Sequence, residues 1–98
     1  QVSVCIPVDR EHGRVMLVSS RSRPNEWILP KGGWESDESK ERSAEREAWE
    51  EAGVLGQITR QVGVWIKPSK KHAPRIKSRF SVYELEVRET RDVWPEQS

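Results

Sequence analysis

A single cysteine, Cys5, stands in the chain, which excludes a disulfide framework. Its place inside an apolar run reads as a buried core thiol rather than a nucleophile. The lack of paired cysteines fits a reducing compartment. No apolar run approaches the roughly 20 residues of a membrane-spanning helix, and no segment near Gln1 has the charged-then-apolar pattern of a signal peptide. A cytoplasmic or nuclear location is expected, without a membrane partner and with export left open. Internal repeats and low-complexity segments are also lacking, and 98 residues suffice for one core but not two. Tryptophan is plentiful at positions 27, 34, 49, 65 and 94, yet the five are dispersed rather than interleaved with basic residues. That spacing argues against a platform stacking single-stranded nucleic acid, so nucleic acid, capped RNA excepted, is not an expected partner. Most of these rings are expected in the core or at its rim, with Trp34 a candidate wall of a substrate pocket.

Net charge is also small, +1, but the charges are segregated. From Lys67 to Arg79 there is no acidic residue, while Lys67, Lys70, Lys71, His72, Arg75, Lys77 and Arg79 are present. This segment, broken by Pro68 and Pro74, is expected to be a basic loop. A second basic group, Arg21, Arg23 and Lys31, precedes a Gly-Gly pair. Such cations suit a substrate carrying many phosphates, although basic surface can also be merely solubilising.

The chemistry concentrates after Gly32. Glu47, Glu50 and Glu51 stand at i, i+3 and i+4, which gathers their carboxylates within an arc of roughly 100° on one helix face. Glutamate is a good helix former, so a solvated face is the bland alternative. Like charges so close repel, however, and a divalent cation with a preference for hard oxygen ligands, Mg²⁺ or Mn²⁺, would neutralise them. The flanks define the helix. Ser36, Asp37 and Ser39 are candidate N-caps, Gly53 is a candidate C-cap, and Ala44, Ala48 and Ala52 form a small-residue stripe for packing on a sheet. A helix over 39–52 is predicted, with Arg46 paired to Glu50 one turn later.

Elsewhere the apolar pattern predicts strands at Val2 to Val8 and Arg14 to Ser19, joined by a polar turn over Asp9 to Gly13. A short strand at Trp27-Ile28-Leu29 should break into a tight loop at Lys31-Gly32-Gly33. Further strands are predicted at Gln57 to Ile66 and Phe80 to Val87, the last with a bulge or burial on both faces because its alternation is imperfect.

Gly32, five residues, Glu38, seven residues, then Arg46-Glu47-Ala48-Trp49-Glu50-Glu51-Ala52-Gly53-Val54 resembles the signature of the Nudix hydrolases. Ala48 is its one soft departure, standing where a larger aliphatic residue is commoner. The resemblance implies an α/β fold, the Nudix α/β/α sandwich with a mixed sheet and the signature loop-helix-loop. It also implies one Nudix hydrolase domain over 1–98, incomplete at both termini and lacking the C-terminal helix. A finer resemblance, to the diphosphoinositol polyphosphate phosphohydrolases and especially their fungal members, rests on several segments. They are Val18-Ser19-Ser20 with the basic residues to Pro24, Trp27 to Gly33, Glu50 to Val54, Lys77-Ser78-Arg79 and Trp94 to Ser98.

What this branch implies is a metal-dependent pyrophosphohydrolase of inositol pyrophosphates and diadenosine polyphosphates. Glu47, Glu50, Glu51 and a backbone carbonyl at Lys31 or Gly32 would hold Mg²⁺, or Mn²⁺, and Glu50 would be the general base. Ser20, Arg21, Ser22, Lys31, Gly32, Gly33, Lys77 and Arg79 match its substrate-contacting positions. The branch places a basic residue just before the first strand, where this chain has Gln1. The alternatives are a Nudix hydrolase acting on mRNA cap, ADP-ribose or nucleoside triphosphates, or a non-catalytic polyphosphate-binding module. An intact glutamate cluster argues against the last.

Overall fold

The computed structural model describes residues 1–19, 25–35, 37–68 and 77–95. The chain forms β1 (Val2–Asp9), β2 (Arg14–Val15), β3 (Val18–Ser19), β4 (Trp27–Ile28), β5 (Lys31–Gly33), α1 (Lys40–Ala52), β6 (Val54–Pro68) and β7 (Lys77–Thr90). β7 is the central strand, parallel to β1 on one side and antiparallel to β6 on the other. β2 and β5 both pair antiparallel with the remaining edge of β1, at its two ends. The sheet is therefore mixed, and α1 packs on one face of it. No second helix occurs among the described residues.

Local chemistry explains the helix. Ser39 caps it by accepting the Arg42 N–H at 3.1 Å, so the cap is Ser39; Ser36 lies outside the described residues. Gly53 closes it at φ 67°, in the left-handed region that costs glycine nothing, and donates its N–H to the Trp49 carbonyl at 3.0 Å. The alanine stripe works as predicted: Ala44 and Ala48 are fully buried against Cys5, Val54, Tyr83 and Leu85, and Ala52 packs beside them. Small side chains let the helix approach the sheet closely. Burial, and secondarily Glu45, pushes the Cys5 thiol up to about 12, so it is a core residue.

Three expectations need correction. Lys31–Gly33 is a strand paired with Val2, Ser3 and Val4, because β1 offers an open hydrogen-bonding edge there. Arg14 to Ser19 is divided: Arg14–Val15 pairs with β1, whereas Val18–Ser19 pairs with Trp27–Ile28 in a separate two-stranded sheet. β6 and β7 run further than their apolar alternation, so Lys67, Lys77 and Arg79 belong to strands, and only 69–76 of the basic segment lies outside the described residues. Of the two outcomes expected for Phe80 to Val87, a bulge or burial on both faces, the register shifts fall largely on β6, between Ile58 and Arg60 and between Gln61 and Gly63. β7 shows the alternative outcome, burial on both faces, with Ser81, Val82, Tyr83 and Leu85 all buried.

The tryptophans depart from expectation too. Trp27 is 67% and Trp65 56% exposed, so neither is a core residue. Trp65 instead lies against Gly63 on its own strand, and Trp94 covers the helix end at Gly53.

Candidate active site

β5 and α1 together build the site. Strand pairing fixes the β5 backbone, and the helix presents Glu47 and Glu51 to it. Glu47 is buried, 6% exposed, with its carboxylate in the space that a side chain at position 32 would fill. Gly32 is thus a cradle for a carboxylate, which explains the glycine. Glu51 reaches the next residue back, its Oε1 accepting the Lys31 N–H at 2.8 Å. From sequence, position 31 is expected to offer a carbonyl to the metal and a substrate contact; its amide contact with Glu51 depends on β5 pairing, which sequence does not show.

Arg46 organises the rest. Its Nε and Nη2 donate to Glu38 at 2.8 to 3.2 Å, and Nη2 also donates to the Gly33 carbonyl at 3.0 Å. Nη1 lies 3.0 Å from Glu47 Oε2 and 3.2 Å from Glu50 Oε2, and Glu35 is 3.8 Å from Nη2. The predicted Arg46–Glu50 pair is present, but the stronger partner is Glu38, which spacing alone did not assign. One guanidinium thus serves four carboxylates. Glu38, more than any other group, pushes the Arg46 guanidinium up, and Arg46 in turn holds the Glu38 carboxyl below the usual carboxylate range.

The loop before the helix is closed by further bonds. Glu35 N–H donates to Glu38 Oε1 and Glu38 N–H to the Glu35 carbonyl, each at 3.2 Å. The Trp34 indole N–H donates to the Glu38 carbonyl at 2.5 Å, and the Trp34 backbone N–H donates to the Gln1 carbonyl at 3.2 Å. Trp34 is therefore tied to the loop while part of its ring stays exposed.

The Glu38 pairing makes an acid-stability prediction. Its folded pKa is depressed, so its contribution is fully present above the ordinary glutamate value of about 4.3 and is lost as pH falls through the lower folded value. Thermal unfolding between pH 3 and pH 6 should show a fall in Tm below about pH 4 that is smaller in Glu38→Gln. Parallel acid profiles in parent and variant would contradict it.

The remaining candidates are placed as follows. Lys31 is exposed, and Arg79 is exposed on β7. Arg79 stands two residues before Ser81, which is buried on the helix side, so pleating directs Arg79 to the face that carries α1. The parallel register puts Gln1 beside Arg79, with Gly33 opposite Val2 on the other edge. β5 and β7 thus lie two strand spacings apart, about 10 Å. The β7 backbone includes Lys77; Ser20, Arg21 and Ser22 lie outside the described residues.

Among the described residues, no three His, Cys, Asp or Glu side chains converge in metal-ligand geometry. The predicted cluster of Glu47, Glu50 and Glu51 is on one flank of the helix but is not drawn to a point. The physical reason is that Arg46 and the Lys31 amide engage the three carboxylates separately. Donor chemistry nevertheless fits a hard divalent cation, because carboxylate oxygens meet a side-chain-free backbone at Gly32.

A mixed sheet carrying one helix, with this carboxylate flank against a glycine strand, defines a known class of protein. The NUDIX domain profile matches residues 1–97, and the chain belongs to that family. It is 40% identical to Nudix hydrolase 21, chloroplastic, of Arabidopsis thaliana over 98% of its own length and 50% of the relative's. Its identity to diphosphoinositol polyphosphate phosphohydrolase 2 of Mus musculus is 38%, over 93% of this chain and 47% of that one. It is 42% identical to Nudix hydrolase 18, mitochondrial, of Arabidopsis thaliana over 84% of this chain and 46% of the relative. The chain spans about half the length of the curated relatives it matches. The solution structure of the E. coli ORF135 protein shares the fold, with a TM-score of 0.61 at 17% identity over 99% of this chain and 69% of that one. No described helix is long and apolar enough to cross a membrane.

Proposed function

We propose that this Nudix hydrolase is a metal-dependent pyrophosphohydrolase that cleaves diphosphate groups of inositol pyrophosphates and diadenosine polyphosphates. The observation that carries the reading is the carboxylate flank of α1 seated on Gly32, with Arg79 on the same side of the sheet. The relative named diphosphoinositol polyphosphate phosphohydrolase 2 supports the substrate class.

Glu47, Glu50 and Glu51, with the Lys31 carbonyl, would hold Mg²⁺ or Mn²⁺. When bound, the cation supplies neutralisation of the anhydride oxygens and acidifies water. Glu50 accepts the proton of the attacking water. It is the most exposed of the carboxylates that Arg46 Nη1 contacts, with a side chain 33% exposed against 7% for Glu47. Arg79 binds a non-reacting phosphate from the face that carries α1, Lys31 and Lys77 add further positive charge for the substrate, and the Gly32-Gly33 backbone admits a phosphate closely. Ser20, Arg21 and Ser22 complete the substrate contacts.

The test is turnover with Mg²⁺ on diphosphoinositol pentakisphosphate, diadenosine hexaphosphate, ADP-ribose, a nucleoside triphosphate and capped RNA in parallel. Preference for the first two by about tenfold or more in kcat/KM is expected, with Arg79→Ala chiefly raising KM. Preference for one of the others would keep the hydrolase and overturn the substrate class. No turnover of any, with retained binding, would favour the binding module.

A further inference from the structure

Arg46 is divided between two duties. Nε and Nη2 hold Glu38 and the Gly33 carbonyl, outside the carboxylate flank proposed to take a cation. Nη1 lies between Glu47 and Glu50, which belong to it. Two carboxylates this close, one of them buried, require a nearby positive charge, and Nη1 supplies it.

We propose that Arg46 is the resident counter-ion of the Glu47–Glu50 pair, displaced when a divalent cation binds, and that Glu38 is the anchor that draws the guanidinium off. This inference rests on the functional reading above, since it takes those glutamates as cation ligands. Arg46 is then a positioning residue whose competition sets cation affinity. A merely orienting arginine predicts the opposite sign. Removing an orienting group loosens the ligands and weakens binding, whereas removing a competitor that is also a like charge strengthens it. Glu38 has a matching role. Without its carboxylate the guanidinium leans wholly on Glu47 and Glu50, and the cation must overcome a tighter pair.

The experiment is Mn²⁺ titration of the full chain followed by electron paramagnetic resonance of the free ion. Circular dichroism checks that each variant is folded. Arg46→Gln should tighten Mn²⁺ binding by about tenfold, and Glu38→Gln should weaken it by a similar factor. Arg42→Gln and Glu45→Gln remove the same charges from a weak 3.5 Å pair on the same helix and should each stay within about twofold of the parent. In the Arg46→Gln background, Glu38→Gln should have little further effect, because nothing remains for Glu38 to anchor. Unchanged or weaker binding in Arg46→Gln, or an equal gain in Arg42→Gln, overturns the competition. Should Arg46→Gln not fold, Glu38→Gln carries the test alone, and binding equal to the parent overturns the proposal. Glu47→Gln separates the two levels: parent-like Mn²⁺ binding in that variant defeats the cation-site assignment itself, and the exchange falls with it.

Discussion

Glu50→Gln is expected to hydrolyse the preferred substrate about a thousandfold more slowly than the parent while keeping its fold, the loss typical of a general base. The variant is nearly isosteric. In the structure the Glu50 side chain is 33% exposed, and Arg46 Nη1 lies 3.2 Å from its Oε2, where an amide oxygen can also accept. Stability should therefore change by no more than about 0.5 kcal/mol, as for exposed substitutions away from the core. What the amide cannot do is take a proton from water. Single-turnover rates with saturating Mg²⁺ separate this from weaker cation binding, since a proton-acceptor defect persists at any cation concentration. A variant that matched the parent rate would end the assignment of Glu50 as the base and leave the fold and family untouched.

How far the sequence discloses such a site depends on which contacts are local. The helix is legible because its determinants are within a turn or two of each other: Ser39 at the start, alanines every four residues, and glycine in the left-handed region at the end. The face shared by Glu47, Glu50 and Glu51 follows from the same period. Where side-chain ends meet is not periodic. Arg46 chooses Glu38, eight residues back in the loop just before the helix, because Nε and Nη2 can engage one carboxylate together there, whereas Glu50 is reached by one nitrogen. Helix spacing favours the i, i+4 pair and cannot see the loop.

Strand limits show a related divide. Lys-Gly-Gly has no strand propensity, yet β5 forms because β1 has an edge to satisfy. β6 and β7 continue past Ile66 and before Phe80 because an antiparallel pair keeps its backbone bonds whether or not the side chains are apolar. Exposed Trp65 misleads for the same reason: a strand accepts an aromatic residue on an uncovered face. Apolar pattern reports burial, and these elements are made by pairing.

Gly32→Ala is the second change expected to have a large effect, and it separates stability from function. An added methyl would overlap the whole Glu47 carboxylate, so one of the two must move. The strand backbone is held on β1 through Ser3, while the carboxylate is the far end of a flexible side chain, so Glu47 gives way. Because relief needs only a rotamer change, the stability loss should stay near 1 kcal/mol. The functional loss should be larger, about a hundredfold in kcat/KM, since a ligand moved by even 1 Å is badly placed. Mn²⁺ affinity should fall with it. Gly33→Ala is the contrasting case. A methyl there meets nothing within 4 Å and the backbone is not in the left-handed region, so Glu47 stays in place and Mn²⁺ affinity should match the parent's. Measuring Tm, Mn²⁺ affinity and turnover for both variants decides the matter. Gly32→Ala with parent-like affinity and rate would mean that Glu47 works from another position, and the cradle at Gly32 would have no part in the chemistry.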